Sequence, residues 1–168
     1  MKKIIACDDR LSTALRVAEQ PGALRSLAAF LAHSGDSWFL LLGLLALWLA
    51  GSPFWKQRAQ DFALGIAVTA VLVMITKFTI RRRRPEGEWG SIYRTTDPHS
   101  FPSGHAARAV MLAVLAWGGG PAWLGAALSV WAPLVGLARV AMGVHYLSDI
   151  LAGFLFGLFM GGLLLAVL

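Results

Sequence analysis

Apolar residues in this chain come in long runs separated by short polar breaks, not in the alternation of a half-buried strand. Residues 38–50 form the first dense run, set between His33-Ser34-Gly35-Asp36 and Gly51-Ser52-Pro53. It falls short of the ~20 residues that a membrane-crossing helix needs, so it must borrow flanking residues or sit where the bilayer is thinned. Residues 62–80 are a second run, interrupted only by Lys77 near its end. A third covers 106–117 and continues back to Pro102, followed by the turn Gly118-Gly119-Gly120-Pro121, whose proline suits a first helical position. Residues 122–137 and 147–168 make the fourth and fifth. Gly153, Gly157, Gly161 and Gly162 give the last run a small-residue face for close helix packing. Ahead of these runs, residues 8–32 mix charged and apolar positions around a break at Pro21-Gly22. Leu11, Leu15, Val17, Leu24, Leu27, Ala28 and Leu31 could line one side of a surface helix or helix pair, with Arg16 and Arg25 outside. The pattern predicts an all-α integral membrane bundle. It has about five transmembrane helices and an N-terminal amphipathic surface helix. Residues 1–36 are the interfacial segment and 37–168 the membrane-embedded part of a single domain.

Composition agrees. Hydrophobic residues are 57% of the 168 and charged ones 14%, against about 25% in an ordinary soluble domain. Mean hydropathy is +0.65. The net charge of +6 would suggest nucleic acid in a soluble chain, but here the basic residues flank apolar runs and leave no room for such a module. Anionic lipid headgroups or a phosphate substrate are the partners expected, and nucleic acid is not. Cys7 is the only cysteine, so no intrachain disulfide can form. The N-terminus does not read as a secretory signal, because residues 4–7 are too short an apolar stretch before Asp8-Asp9-Arg10.

The unusual polar residues fall at matching ends of the runs. Lys77 and Arg84 close the second, Ser103 and His105 open the third, Arg139 closes the fourth, and His145 and Asp149 open the fifth. Consecutive spans run in opposite directions, so all of these residues share one membrane face. Ionisable groups so close to hydrocarbon are costly and mark a functional site. His145 and Asp149 are four apart, which puts them on one side of a helix. The carboxylate can accept the Nδ1 proton, leaving Nε2 as a lone-pair nucleophile. Ser103-Gly104-His105 opens a helix whose free N–H groups favour an anion, and His105 can act as a general acid. Lys77, Arg84 and Arg139 supply positive charge suited to phosphoryl oxygens. A hard-cation site would need several carboxylates, whereas Asp149 is the one expected in this cluster, so no metal and no cofactor are expected.

Three segments carry a resemblance. Residues 77–85 read KFTIRRRRP and fit K-x6-R-P, residues 102–105 read PSGH, and residues 139–149 read RVAMGVHYLSD and fit R-x5-H-x3-D. Together they resemble the three-part signature of the type 2 phosphatidic acid phosphatase superfamily. The resemblance implies that His145 is the nucleophile forming a phosphohistidine, Asp149 its orienting group and His105 the general acid. It also implies that Lys77, Arg84, Ser103, Gly104 and Arg139 hold the phosphoryl oxygens. The family commonly has serine before the third-motif arginine, and here that residue is Ala138, which implies a modest loss of hydrogen bonding. Short loops resemble the lipid phosphatases. The expected function is therefore metal-independent hydrolysis of a phospholipid or isoprenyl phosphate, monoester or diphosphate. The alternatives are a phosphotransferase or small-molecule phosphatase on the same framework, or a non-enzymatic lipid-binding membrane protein.

The remaining polar residues have plainer readings. Arg81, Arg82 and Arg83 read as a headgroup-binding collar, and His99 as a solvated loop residue. His33 and Asp36 either line the substrate entrance or, in the case of Asp36 and Ser34, cap a helix. Glu86, Glu88, Trp89, Tyr93 and Arg94 could shape headgroup selectivity. The tryptophans, Trp131 among them, read as interfacial anchors. The positive-inside rule puts the site in the cytoplasm, whereas the resemblance implies an outward-facing site in a multi-pass cell-membrane protein.

Overall fold

In the computed structural model, residues 2–18, 20–87, 89 and 97–168 are described. Seven helices are present among them: α1 (Lys2–Ala14), α2 (Ala23–Ser34), α3 (Ser37–Ala50), α4 (Pro53–Ile80), α5 (Gly104–Gly119), α6 (Ala122–Ala141) and α7 (Leu147–Leu165). The described residues contain no named strand, only an isolated bridge between Arg83 and His99.

The breaks follow local chemistry. α4 starts earlier than the apolar run suggests, with Pro53 in its first turn. Its polar first turns are kept helical by an Arg58–Asp61 ion pair at 2.8 Å and by Gln57 donating to Asp61 at 2.9 Å. It stops at Arg81, which takes the left-handed conformation (φ 55°) and donates its N–H to the Lys77 carbonyl. α6 runs to Ala141, past the end of its most apolar stretch. After it, Gly143 at φ 67° makes a turn that a side chain would strain.

α5 is the buried centre. Ala106, Ala107, Met111, Leu115 and Ala116 are almost wholly covered, and α4, α6 and α7 surround it. Between apolar helices in lipid, close packing holds the bundle together. The glycines of α7 provide the approach: a Cβ at Gly153 would lie 2.6 Å from the Ser103 carbonyl oxygen, and one at Gly157 would lie 2.3 Å from that of Ala107. A Cβ at Gly161 would meet Val114 at 2.6 Å. Gly162 does not belong to this face, since a Cβ there would meet nothing within 4 Å.

α4, α6 and α7 are each long and apolar enough to cross a membrane, and α2 with α3, bent by 57° at residues 35–36, makes a fourth candidate span. Leu42, Leu49, Val71, Ile75, Val130, Leu155 and Phe159 are all more than half exposed. Such a surface suits lipid as solvent, and the chain is a multi-pass helical membrane protein. In the N-terminal segment the small and the large apolar residues lie on different faces. Ala28 and Ala32 are buried, whereas Leu11, Leu15, Leu24 and Leu27 are exposed. Small alanines let α2 lie close against α6, and the larger leucines are left outside.

Candidate active site

The four helix ends named from sequence do meet. Lys77, in the last turn of α4, and Arg84, in the loop after it, are each 3% exposed, and Arg139 at the end of α6 is fully buried. Arg84 Nη1 donates to the Val144 carbonyl at 2.9 Å and lies 3.2 Å from His145 Nε2. The charge of Arg139 acts on Lys77, Arg84, His105 and His145, so the cationic groups surround both imidazoles.

His145 differs from its expected setting in one respect. It lies in the turn before α7, two residues ahead of Leu147, so its approach to Asp149 is not a pairing within one helix. Asp149 is the third residue of α7, and its Oδ2 accepts the Tyr146 N–H at 2.9 Å, which folds the turn back over the helix start. His145 Nδ1 then stands 3.4 Å from the same oxygen. Burial, reinforced by the positive charges of Arg84, Arg139 and Lys77, holds the imidazole well below its ordinary pKa. The ring is therefore neutral, with one nitrogen toward a carboxylate and the other toward the cations.

Ser103 caps α5, its hydroxyl accepting the Ala106 N–H at 3.5 Å, and its own N–H donates to the Asp149 carbonyl at 3.0 Å. This backbone bond fixes the start of α5 against α7. Gly104, the first residue of α5, has only Val73 nearby at 3.5 Å from a built Cβ. His105 sits in the first turn of α5, partly exposed.

The cluster holds more carboxylates than the one expected. Asp97 ion-pairs with Lys77 Nζ through Oδ2, and the same oxygen accepts from Arg84 Nη2 at 2.7 Å. Its carbonyl also accepts from Arg84 Nε at 2.7 Å. One carboxylate oxygen of Asp97 thus bridges these two buried cations. Asp36 accepts from His105 Nε2 at 2.7 Å, and its side chain makes no capping hydrogen bond.

Arg82 is not part of an outward collar. Its Nη1 pairs with Asp149 Oδ1 at 2.8 Å and donates to Ser148 Oγ at 2.6 Å, and its Nη2 pairs with Asp8 at 2.6 Å. The guanidinium also stacks over Tyr146, 4.0 Å from the ring centre. Asp8 in turn accepts the Ser148 N–H at 3.0 Å, and Ser12 accepts the Leu147 N–H at 2.8 Å. Two side chains of α1 therefore satisfy the free donors at the start of α7, the helix that carries Asp149. Burial raises the Asp8 carboxyl, but Arg82 and Ser148 more than offset this and leave it below its ordinary value. Arg81 and Arg83 are exposed. His99 stacks edge-on against Phe78 instead of being free in solvent. Trp131 donates to Ser34 at 2.9 Å and so ties α6 to the α2–α3 corner. Glu88, Tyr93 and Arg94 lie outside the described residues.

A polar cavity of about 710 Å³ opens beside Arg84, lined by Asp9, Arg16, Arg83, Glu86, His99 and Tyr146 among others.

The buried cationic cluster thus lies at one end of a bundle of apolar helices. The PAP2 superfamily model matches residues 58–168, and the chain belongs to that superfamily. Its relatives include the lipid A 1-phosphatase of Porphyromonas gingivalis, 31% identical over 115 residues. That match covers 67% of this chain but only 24% of the relative, so the chain spans about a quarter of that protein's length. The decaprenylphosphoryl-5-phosphoribose phosphatase of Mycobacterium tuberculosis is 28% identical over 156 residues, covering 88% of this chain and 81% of the relative. Among solved structures, a transmembrane PAP2-type phosphatidylglycerolphosphate phosphatase of Bacillus subtilis superposes with a TM-score of 0.78 at 25% identity. That alignment covers 99% of this chain and 87% of the other.

Proposed function

We propose that the protein is a lipid phosphate phosphatase that works through a phosphohistidine on His145 and needs no metal. The observation that carries this reading is the position of His145 Nε2, 3.2 Å from Arg84 Nη1, in a buried cluster that also holds Lys77 and Arg139. A phosphoryl group bound to these cations has its phosphorus in front of a neutral imidazole nitrogen. Displacing Asp97 frees Lys77 and the Arg84 fork for two of its oxygens, and the N–H groups at the start of α5 offer further donors.

Attack then forms the bond from Nε2 to phosphorus while the bond to the leaving oxygen breaks and its electron pair stays on that oxygen. His105 delivers the proton the oxygen needs. Asp149 stabilises the positive charge that the His145 ring gains, as its Nδ1 proton faces Oδ2. In the second half water attacks phosphorus and gives its proton to His105, and the electrons of the P–N bond return to Nε2. Side-chain cations supply the charge that the transition state requires.

The substrate is a phospholipid or isoprenyl phosphate. Its chains remain in the bilayer beside the exposed faces of a five-span bundle made of α3 to α7, and the headgroup occupies the polar cavity beside Arg84. The three relatives named above are each named for a phosphorylated lipid, which supports the class. Phosphate release by the purified protein from a panel of lipid phosphates and isoprenyl diphosphates is the direct test. Release from at least one, unaffected by EDTA and blocked by vanadate, is expected. Activity abolished by EDTA and restored by a divalent metal would overturn the reading, and label appearing in a lipid acceptor instead of free phosphate would make the protein a transferase.

A further inference from the structure

The contact between Asp36 and His105 has no counterpart in the three motifs. Asp36 sits at the sharp corner between α2 and α3, 69 residues from His105 in sequence. Its Oδ1 is 2.7 Å from His105 Nε2, and its Oδ2 is 3.0 Å from Nδ1 of the exposed His33. The corner is clamped in place. The Gly35 carbonyl accepts from Arg108 Nη2 at 2.7 Å, and Ser34 accepts from Trp131. A Cβ at Gly35 would already press on Val135 at 3.1 Å and on the His105 ring at 3.4 Å. This construction holds one carboxylate oxygen on one ring nitrogen.

We propose that Asp36 is the positioning residue of the general acid, doing for His105 what Asp149 does for His145. This rests on the reading of His105 as general acid. With Nε2 committed to Asp36, Nδ1 is the nitrogen left to face the leaving oxygen. In the first step the imidazolium gives its Nδ1 proton to that oxygen as the P–O bond breaks, and the neutral ring keeps its Nε2 proton on Asp36. In the second step Nδ1 takes a proton from the attacking water, and the imidazolium is restored. Asp36 stabilises the charged form against the positive groups that face it. These are Arg139 from α6, Arg108 on the same helix, and Lys77 and Arg84 around the neighbouring His145, while His33 shares the carboxylate through its other oxygen. Asp149 is engaged with His145 and Arg82, and Asp97 with Lys77 and Arg84.

The test compares two substrates that differ in their need for an acid. Short-chain phosphatidic acid has an alkoxide leaving group that must be protonated, whereas p-nitrophenyl phosphate does not. General acid catalysis contributes on the order of 10²–10⁴-fold, so in single-turnover release of the alcohol or phenol, which precedes the water step, H105A should lose that much on the lipid and only about threefold on the aryl ester. D36N should show the same selectivity at smaller size, roughly 10–100-fold on the lipid, with the alkaline limb of its pH profile moved to lower pH. D36E keeps the charge and should recover much of what D36N loses on the lipid, so the carboxylate can be judged even where D36N folds poorly. An H105A variant that is selective beside a D36N variant that loses both activities equally, or neither, would overturn the role of Asp36 alone. An H105A variant that loses both equally would overturn the general acid reading and this inference with it.

Discussion

Gly157 is where the packing of the bundle and the geometry of the site can be tested together. Replacing it with alanine puts a Cβ 2.3 Å from the Ala107 carbonyl oxygen and 2.9 Å from Val110 Cβ. Ordinary contact starts near 3.4 Å, so α5 and α7 must separate by about 1 Å (3.4 − 2.3). The obstructing atom is backbone and cannot rotate aside. Overpacking of this kind costs ~1–3 kcal/mol, and the rigid partner puts G157A at the upper end. In a chain of this size ~3 kcal/mol lowers Tm by roughly 6–12 °C. His105 stands on α5 and Asp149 on α7, so the same displacement misaligns the site, and a 1 Å error can cost ~10²-fold in turnover. The control is G162A on the same helix, where the new methyl meets nothing within 4 Å. It should keep full activity and gain roughly 0.5–1 kcal/mol from helix propensity. Thermal unfolding in detergent and phosphate release, measured on both variants, decide the matter. Equal Tm and activity for G157A and G162A would refute the packing argument.

Three further outcomes are expected. R82M removes the cation that holds Asp149 Oδ1 and Asp8 together. Turnover should fall by ~10–100-fold with KM little changed, consistent with loss of a charged hydrogen bond worth ~1.5–3 kcal/mol and read from steady-state kinetics. D97A leaves Lys77 and Arg84 without their shared carboxylate, so Tm should fall in plain buffer and recover when vanadate is added, with vanadate binding tightened. A D97A protein whose Tm vanadate does not restore would argue against a phosphoryl group taking the place of Asp97. The third concerns pH. The folded His145 stays neutral below its ordinary value, whereas the unfolded chain takes up a proton below about 6.5. Stability is therefore present above that pH and is lost as pH falls, by about 1.4 kcal/mol per unit for this one group. Melting curves between pH 7.5 and 5.5 should show a smaller drop for H145Q than for the parent.

How much of this was legible follows from the range of each interaction. Apolar runs and Gly/Pro breaks are local, so α3 and α5 to α7 were readable to within a few residues. α4 ran longer because Asp61 and Arg58 neutralise each other within one turn, which hydropathy alone does not register. The five motif cations and imidazoles at helix ends could be placed on one face because antiparallel spans alternate in direction. The carboxylates that complete the pocket could not. Asp97, Asp36 and Asp8 reach the site from a loop, a helix corner and the N-terminal helix, and the Arg84, His105 and Arg82 they hold there lie 13, 69 and 74 residues away. The one clue available was charge balance. Buried cations need counter-charges, and a single Asp149 could not serve Lys77, Arg84 and Arg139 together. The i, i+4 spacing puts His145 on the helix, whereas it lies in the turn before it, because the Gly143 turn and the Tyr146 N–H bond to Asp149 start the helix two residues later.

The central claim is a covalent bond between His145 and phosphorus. Rapid quench of the purified protein with a radiolabelled lipid phosphate into alkaline detergent, followed by peptide mapping, tests it most directly. An acid-labile, base-stable label on the peptide carrying His145, absent from H145Q, is the predicted result. A protein that turns over the lipid at full rate with no label there, or with H145Q still active, contradicts the account.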